Sequence, residues 1–337
     1  MSTRWDYIEG PVSAYLWEGS DGRKIWLFGD RHVTTSGCIT RCVDGRVGRL
    51  EHVIANLADD FEVRRKVLHV LVERSQVTLP VFEEGQETHI QFSGATYMDT
   101  LNTFLFGCHG CSSACYYPNV RFHATDARQT HEPFNAIMQV ATGCSSAFFQ
   151  KFTSTDDASD HVSWSDVPND VIDRIYEEDL TKEDLETVAW ALGEYTGEET
   201  VSDLFLRTME IVGVLGVIEE TSQKDFFVQY IREQLDGITP DLAGFFRRRL
   251  ADIDVNDRRG IVTFLCDWMD AADLLMDTYT LAKILVDGLE SAIVLCGFVH
   301  VDTLNGLMEK LGFTLLFSHE ISGDQCLDMR GAPHPLL

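Results

Sequence analysis

The sequence predicts an α/β fold in which a central mixed β-sheet, built from two related halves, is flanked by helices and interrupted by an acidic helical insertion. Three observations predict it. Short apolar runs end in polar groups, at Asp30 and His32, at Glu73, and at Asp126 and Arg128. Segments with helical spacing alternate with those runs, as expected when strands and helices share one sheet. Near each end of the chain an apolar strand runs into Gly-x-x-His, Gly29 to His32 and Gly297 to His300, and helical spacing follows.

The elements can be taken in order. Ser13 to Glu18 alternates apolar positions, Gly19-Ser20-Asp21-Gly22 supplies turn chemistry, and Lys24 to Phe28 resumes a strand, so the first segment reads as a hairpin. Its second strand leads directly into Gly29-Asp30-Arg31-His32. The carboxyl end of a buried strand is where α/β folds place ligands. Val47 to Arg65 has helical character, Val67 to Val72 is a short apolar run ending in Glu73-Arg74-Ser75, and Val120 to Ala124 ends in Thr125-Asp126-Ala127-Arg128. Gln76 to Asn119, between those strands, is irregular, and a connection of that length is functional or a surface excursion.

From Asp156 to Asp241 the composition shifts, with 23 Asp and Glu against five Lys and Arg. Helical spacing recurs there in Val171 to Leu180, in Lys182 to Leu192 behind a Thr181 cap, and in Val201 to Ile218. The basic cluster Arg247-Arg248-Arg249 with Arg258-Arg259 is expected to pair with this acidic region. Arg259 to Leu289 is a long helix, apolar on most of its circumference and therefore buried. Ala292 to Cys296 is a buried strand, Asp302 to Leu311 a helix, and Thr314 to Ser318 and Gln325 to Met329 are closing strands. The expected organisation is an N-terminal half of the core over 1–152, an acidic helical insertion or lid over 153–257, and a C-terminal half over 258–337.

Composition bounds the function. Hydrophobic content of 45% and charged content of 24% are ordinary globular values and provide a sizeable core. A net charge of −27 argues against a nucleic-acid partner and against an anionic membrane surface, both of which need a basic footprint. The amino terminus lacks the apolar stretch of a signal peptide, and the most continuous apolar run, Ile211 to Ile218, falls far short of the ~20 residues that span a bilayer. Nine cysteines, an odd count, are too sparse for a disulfide scaffold. A soluble, intracellular or virion-interior protein with largely reduced cysteines is expected.

Two Gly-x-x-His elements, with a strand-terminal glutamate and an arginine between them, form a pattern that resembles the Tiki and TraB proteins and their wider group of erythromycin esterases and ChaN-like proteins. The matching residues are Gly29 and His32, Glu73, Arg128, and Gly297 and His300. The segments LFGDRH, LVERS, FHATDAR, LLMDTYTLAKIL and CGFVHVDTLNGLMEKLGF also resemble an uncharacterised family encoded by large DNA viruses of amoebae. The resemblance covers roughly the first 130 and last 80 residues and implies a polar cleft at the strand ends. The chain departs from its better-understood relatives: erythromycin esterases carry further His and Glu near their site, and Tiki proteins are secreted or membrane-attached.

The same residues have a chemistry of their own. His32, His300 and Glu73 can bind a divalent metal (Mn, Co, Zn or Ca) and leave a position for water, or one histidine with a carboxylate can deprotonate water directly. Arg128 would stabilise an oxyanion or hold a substrate carboxylate, and Asp30 or Asp126 would orient a histidine through its second nitrogen. Glu73 follows six apolar or His positions and needs a partner, for which Arg128 is the natural candidate; that pairing serves equally as a structural salt bridge. Asp277 shares a helix face with Asp270 and Asp273, and the viral resemblance draws it toward the site. Cys108, Cys111 and Cys115, with His109 among them, offer zinc ligands, a local disulfide or simple burial.

The expected function is hydrolysis of an ester or amide in a small-molecule or peptide substrate. A ligand-binding role, on the association of ChaN-like relatives with haem, and an inactive structural or virion role are the alternatives.

Overall fold

A computed structural model of the chain describes residues 5–30, 45–75, 119–152, 180–195, 198–211, 246–285, 289, 291–321 and 326–333. The protein is α/β. It divides into two compact units, Met1–Asp126 with Asp287–Leu337, and Ala127–Val286.

The first unit holds nine described strands, β1 (Tyr7–Glu9), β2 (Ser13–Glu18), β3 (Lys24–Asp30), β4 (Val47–Arg49), β5 (Leu68–Ser75), β6 (Val120–Asp126), β7 (Ser291–Gly297), β8 (Thr314–Glu320) and β9 (Cys326–Asp328). Six form a sheet of order β6-β5-β7-β3-β2-β8, and three a small sheet of order β4-β1-β9. In the larger sheet β6, β5, β7 and β3 run parallel, while β2 and then β8 add antiparallel pairings. The hairpin expected at residues 13–28 is the β2–β3 pair, closed by the Gly22 N–H to Gly19 carbonyl bond with Gly22 at φ +82°.

Alternation along the strands sends Trp26 and Phe28, Leu68, Val70 and Val72, and Ile293 and Leu295 into one core. The helix α1 (Leu50–Arg64) joins that core through Leu50, Val53, Ile54, Leu57, Ala58 and Phe61, the three-and-four spacing of one helical face. The first three residues of the expected helix, Val47–Arg49, instead pair with β1 as β4. The helix α1 ends at Arg65, which adopts a left-handed conformation (φ 58°, ψ 37°) and donates its N–H to Glu62, while the Lys66 N–H reaches Phe61. A side chain is strained there and glycine is not. Arg65→Gly is therefore expected to stabilise the fold by up to about 1 kcal/mol. The check is a raised urea midpoint with an unchanged slope.

The second unit is helical as described: α2 (Glu132–Phe152), α3 (Lys182–Gly193), α4 (Val201–Ile211), a 3-10 turn (Leu250–Asp252) and α5 (Arg258–Leu285). Thr181 caps α3 in a reciprocal box with Asp184, and Thr200 with Asp203 repeats the arrangement at α4. The helix α5 is buried nearly throughout, as its all-round hydrophobicity predicts, and its Trp268 packs on Phe134 of α2 with ring centres 4.8 Å apart. Arg249 pairs with Glu198, which belongs to the acidic stretch, and with Asp252.

The two units divide at 126/127 and 286/287. Within the second unit α2 and α5 pack against each other. Among the described residues no helix is long and apolar enough to cross a membrane. Cys144, Cys266 and Cys296 are buried, and Cys326 is disulfide-bonded.

Candidate functional site

The four parallel strands finish at one edge of the sheet, bringing Asp30, Glu73, Asp126 and Gly297 to a common border. Register places Asp30 beside Gly297 and Ser75 beside Asp126. The helix α6 (Phe298–Lys310) follows β7 and buries Val301, Leu304, Leu307 and Met308. It lies on the face opposite α1, because Gly29 and Trp17, which point away from the Trp26–Phe28 core, meet Phe298, Val301 and Asn305. Thus α1, the first described helix after β3, and α6, the helix after β7, pack on opposite faces of the sheet. In an open parallel sheet this is the position where a ligand crevice forms.

Gly29 has a steric task there. A Cβ at this position would lie 3.2 Å from the Phe298 Cα and 3.2 Å from a Val301 methyl, so the missing side chain lets α6 approach β3. Gly297 has a different one. It is the residue before α6 and has no side chain with which to cap the helix, and its N–H donates instead to Glu73 Oε2 at 2.7 Å. Glu73 thus does, from a neighbouring strand, what the third-position glutamate of a capping box does from within a helix. A carboxylate at a helix amino terminus also gains roughly 0.3–1 kcal/mol from the aligned peptide dipoles.

His300 occupies the third position of α6, and helical side chains lean back toward the helix start. The three-residue spacing after Gly297 thereby returns the imidazole to the strand ends, where Nε2 lies 3.5 Å from Glu73 Oε1. Both side chains are largely enclosed, His300 at 7% and Glu73 at 14% exposure. That separation is longer than a good hydrogen bond and close to the ~3.4 Å expected between two ligands about 2.1 Å from one tetrahedral ion.

No family model, curated protein or solved structure matches the chain.

Of the residues expected at the site, the structure brings Glu73 and His300 together and sets Asp30, 2% exposed, beside Gly297. Asp126, 9% exposed, closes the same edge on β6. Arg128 and Asp277 belong to the helical unit. The Arg128 guanidinium donates to Asp273 at 2.6 Å, and Asp277, one turn further along α5, is buried. Glu73 accepts from the Gly297 N–H and faces His300, and Arg128 is paired with Asp273. His32, Cys108, Cys111 and Cys115 lie outside the described residues. Among the described residues no three His, Cys, Asp or Glu side chains are grouped to hold a metal ion.

Sequence reasoning missed one pair. His69 Nδ1 and His123 Nε2 are 3.0 Å apart across β5 and β6, with ring planes only 14° apart and centres 5.3 Å apart. The centres exceed the nitrogen separation by about two ring radii, so the nitrogens face each other in line, the geometry of an imidazole–imidazole hydrogen bond. Only strand register brings together residues 54 positions apart, and nothing local in the sequence signals it.

Proposed function

We propose that the sheet unit carries a hydrolytic site for an ester or amide of a small molecule or peptide, in which Glu73 and His300 act as one acid–base pair. The observation that carries this reading is the enclosed Glu73–His300 contact at the carboxyl edge of the parallel strands, where the helices diverge. The resemblance to the Tiki, TraB and erythromycin esterase group supports it.

Glu73 is held by the Gly297 N–H through one oxygen, which leaves the other facing His300. In this reading the imidazole takes a proton from water as the water oxygen attacks the substrate carbonyl, and the carboxylate stabilises the imidazolium that forms. The same proton passes to the departing oxygen or nitrogen as the carbon–heteroatom bond breaks, so no net proton is gained or lost by the pair. Low exposure strengthens the exchange, since charges interact more strongly away from bulk water.

Glu73 and His300 also fit a divalent ion (Mn, Co, Zn or Ca), with His32 the expected third ligand, because an oxygen and a nitrogen at their spacing can share one centre. Such an ion would supply acidification of its water.

The test is a screen of esters and short peptides with wild type, Glu73→Gln and His300→Ala, beside metal analysis of wild type, His32→Ala and His300→Ala. The reading expects turnover that falls by about 10²–10⁴ in both site variants, with folding retained. Stoichiometric metal lost in His32→Ala and His300→Ala would identify the metal-assisted form. Turnover unchanged by both site variants would overturn the reading, and a haem-like ligand that binds and is recovered intact would replace it with a binding role.

A further inference from the structure

The helical unit contains a hydrogen-bonded chain centred on His131. Thr208 on α4, fully buried, donates its single hydroxyl proton to the Leu204 carbonyl at 2.9 Å. With its proton on the Leu204 carbonyl it accepts from His131 Nδ1, 2.7 Å away. With Nδ1 protonated, Nε2 of the neutral ring carries a lone pair, and the Tyr195 hydroxyl 3.3 Å away donates to it. Tyr195 lies just past α3, and the His131 carbonyl accepts the first helical bond of α2, from Asn135. One neutral imidazole thus ties together the start of α2, the end of α3 and α4.

We propose that His131 is an acid-sensitive latch, holding these three helices together while neutral and releasing them when it binds a second proton. On protonation Nε2 becomes a donor and faces another donor. Tyr195 must then turn its hydroxyl round, at what is already the longest link of the chain. The charge would also arise beside Arg207, whose guanidinium lies 5.0 Å above the Tyr195 ring and is itself paired with Glu199 at 2.7 Å. Glu194 and Glu199 act on Tyr195, and Glu132 follows His131 in the sequence.

Burial first, and Arg207 second, hold the imidazole below its ordinary range, while burial pushes the Tyr195 hydroxyl up to about 12, so the tyrosine remains a donor throughout the physiological range. Because the folded value lies below the unfolded 6.5, the unfolded chain binds more protons between the two. The latch therefore contributes its full stability above 6.5 and loses it as pH falls toward the folded value.

The experiment is amide hydrogen exchange, corrected for intrinsic rates, on segments 131–137, 192–195 and 201–208 between about pH 7.5 and pH 5. It is run on the full chain and combined with nitrogen shifts of the His131 ring. Wild type is expected to show the Nδ1–H tautomer at neutral pH and an acid-induced rise of about three- to tenfold in exchange in these segments. His131→Gln preserves a donor and an acceptor but does not titrate, and it is expected to abolish the rise. Arg207→Gln is expected to move the midpoint to higher pH by removing the neighbouring charge. An Nε2–H tautomer, exchange in wild type that does not respond to acid, or an equal response in His131→Gln would each overturn the latch.

Discussion

Glu73→Ala is expected to cost about 2–4 kcal/mol and to release the first turn of α6. The substitution removes an acceptor that holds the Gly297 N–H at 2.7 Å and a partner 3.5 Å from an imidazole that is itself almost enclosed. An orphaned buried donor accounts for about 1–3 kcal/mol of that loss, and the stranded imidazole adds the remainder. Glu73→Gln separates the two roles. Its amide oxygen still accepts from Gly297, so most of the stability is expected to return, while the negative charge facing His300 does not. Urea denaturation with exchange at the amides of residues 297–301 decides the matter. A loss below about 0.5 kcal/mol in the alanine variant would show that the carboxylate does not fix the helix start.

Gly29→Ala is the second large effect, expected to cost about 1–3 kcal/mol. The added methyl meets the Phe298 backbone and a Val301 methyl at 3.2 Å, and it also crowds the Ser13 hydroxyl. The hydroxyl can rotate away, but the Phe298 Cα can move only if α6 slides along β3 and β7. Because that slide displaces His300 from Glu73, stability and turnover are expected to fall together. A Gly29→Ala variant of wild-type stability would mean that α6 is free to shift and that the first glycine serves some purpose other than close packing.

These two residues show how far the motif could be read from the chain. Gly-x-x-His appears twice, and repetition suggests the same structure twice. The structure gives the two glycines different tasks: Gly29 sits inside β3, opposite Cys296, and makes room, while Gly297 ends β7 and donates its N–H. The carboxylate that receives that N–H stands 224 residues away, so no window of the sequence could show it. The start of α6 was misplaced for the same reason. The expected helix began at Asp302, whereas the Glu73 contact to Gly297 and a buried Val301 beside a 61% exposed Val299 mark a helix that begins at Phe298.

What the sequence determined by itself is whatever depends on short-range periodicity. The β2–β3 hairpin, the cores of β5, β6 and β7, the Thr181 cap of α3 and the buried α5 all follow from alternation, turn residues, capping residues or all-round hydrophobicity within a dozen or so positions. What only the tertiary structure decided depends on pairing between distant segments: the strand order that sets β7 between β5 and β3, the conversion of Val47–Arg49 from helix to strand, the assignment of Asp273 to Arg128, and the in-line His69–His123 pair. Local pattern settles which face of an element is apolar. Which neighbour covers that face is set by burial and polar satisfaction summed over the whole chain, and the site is made of such neighbours.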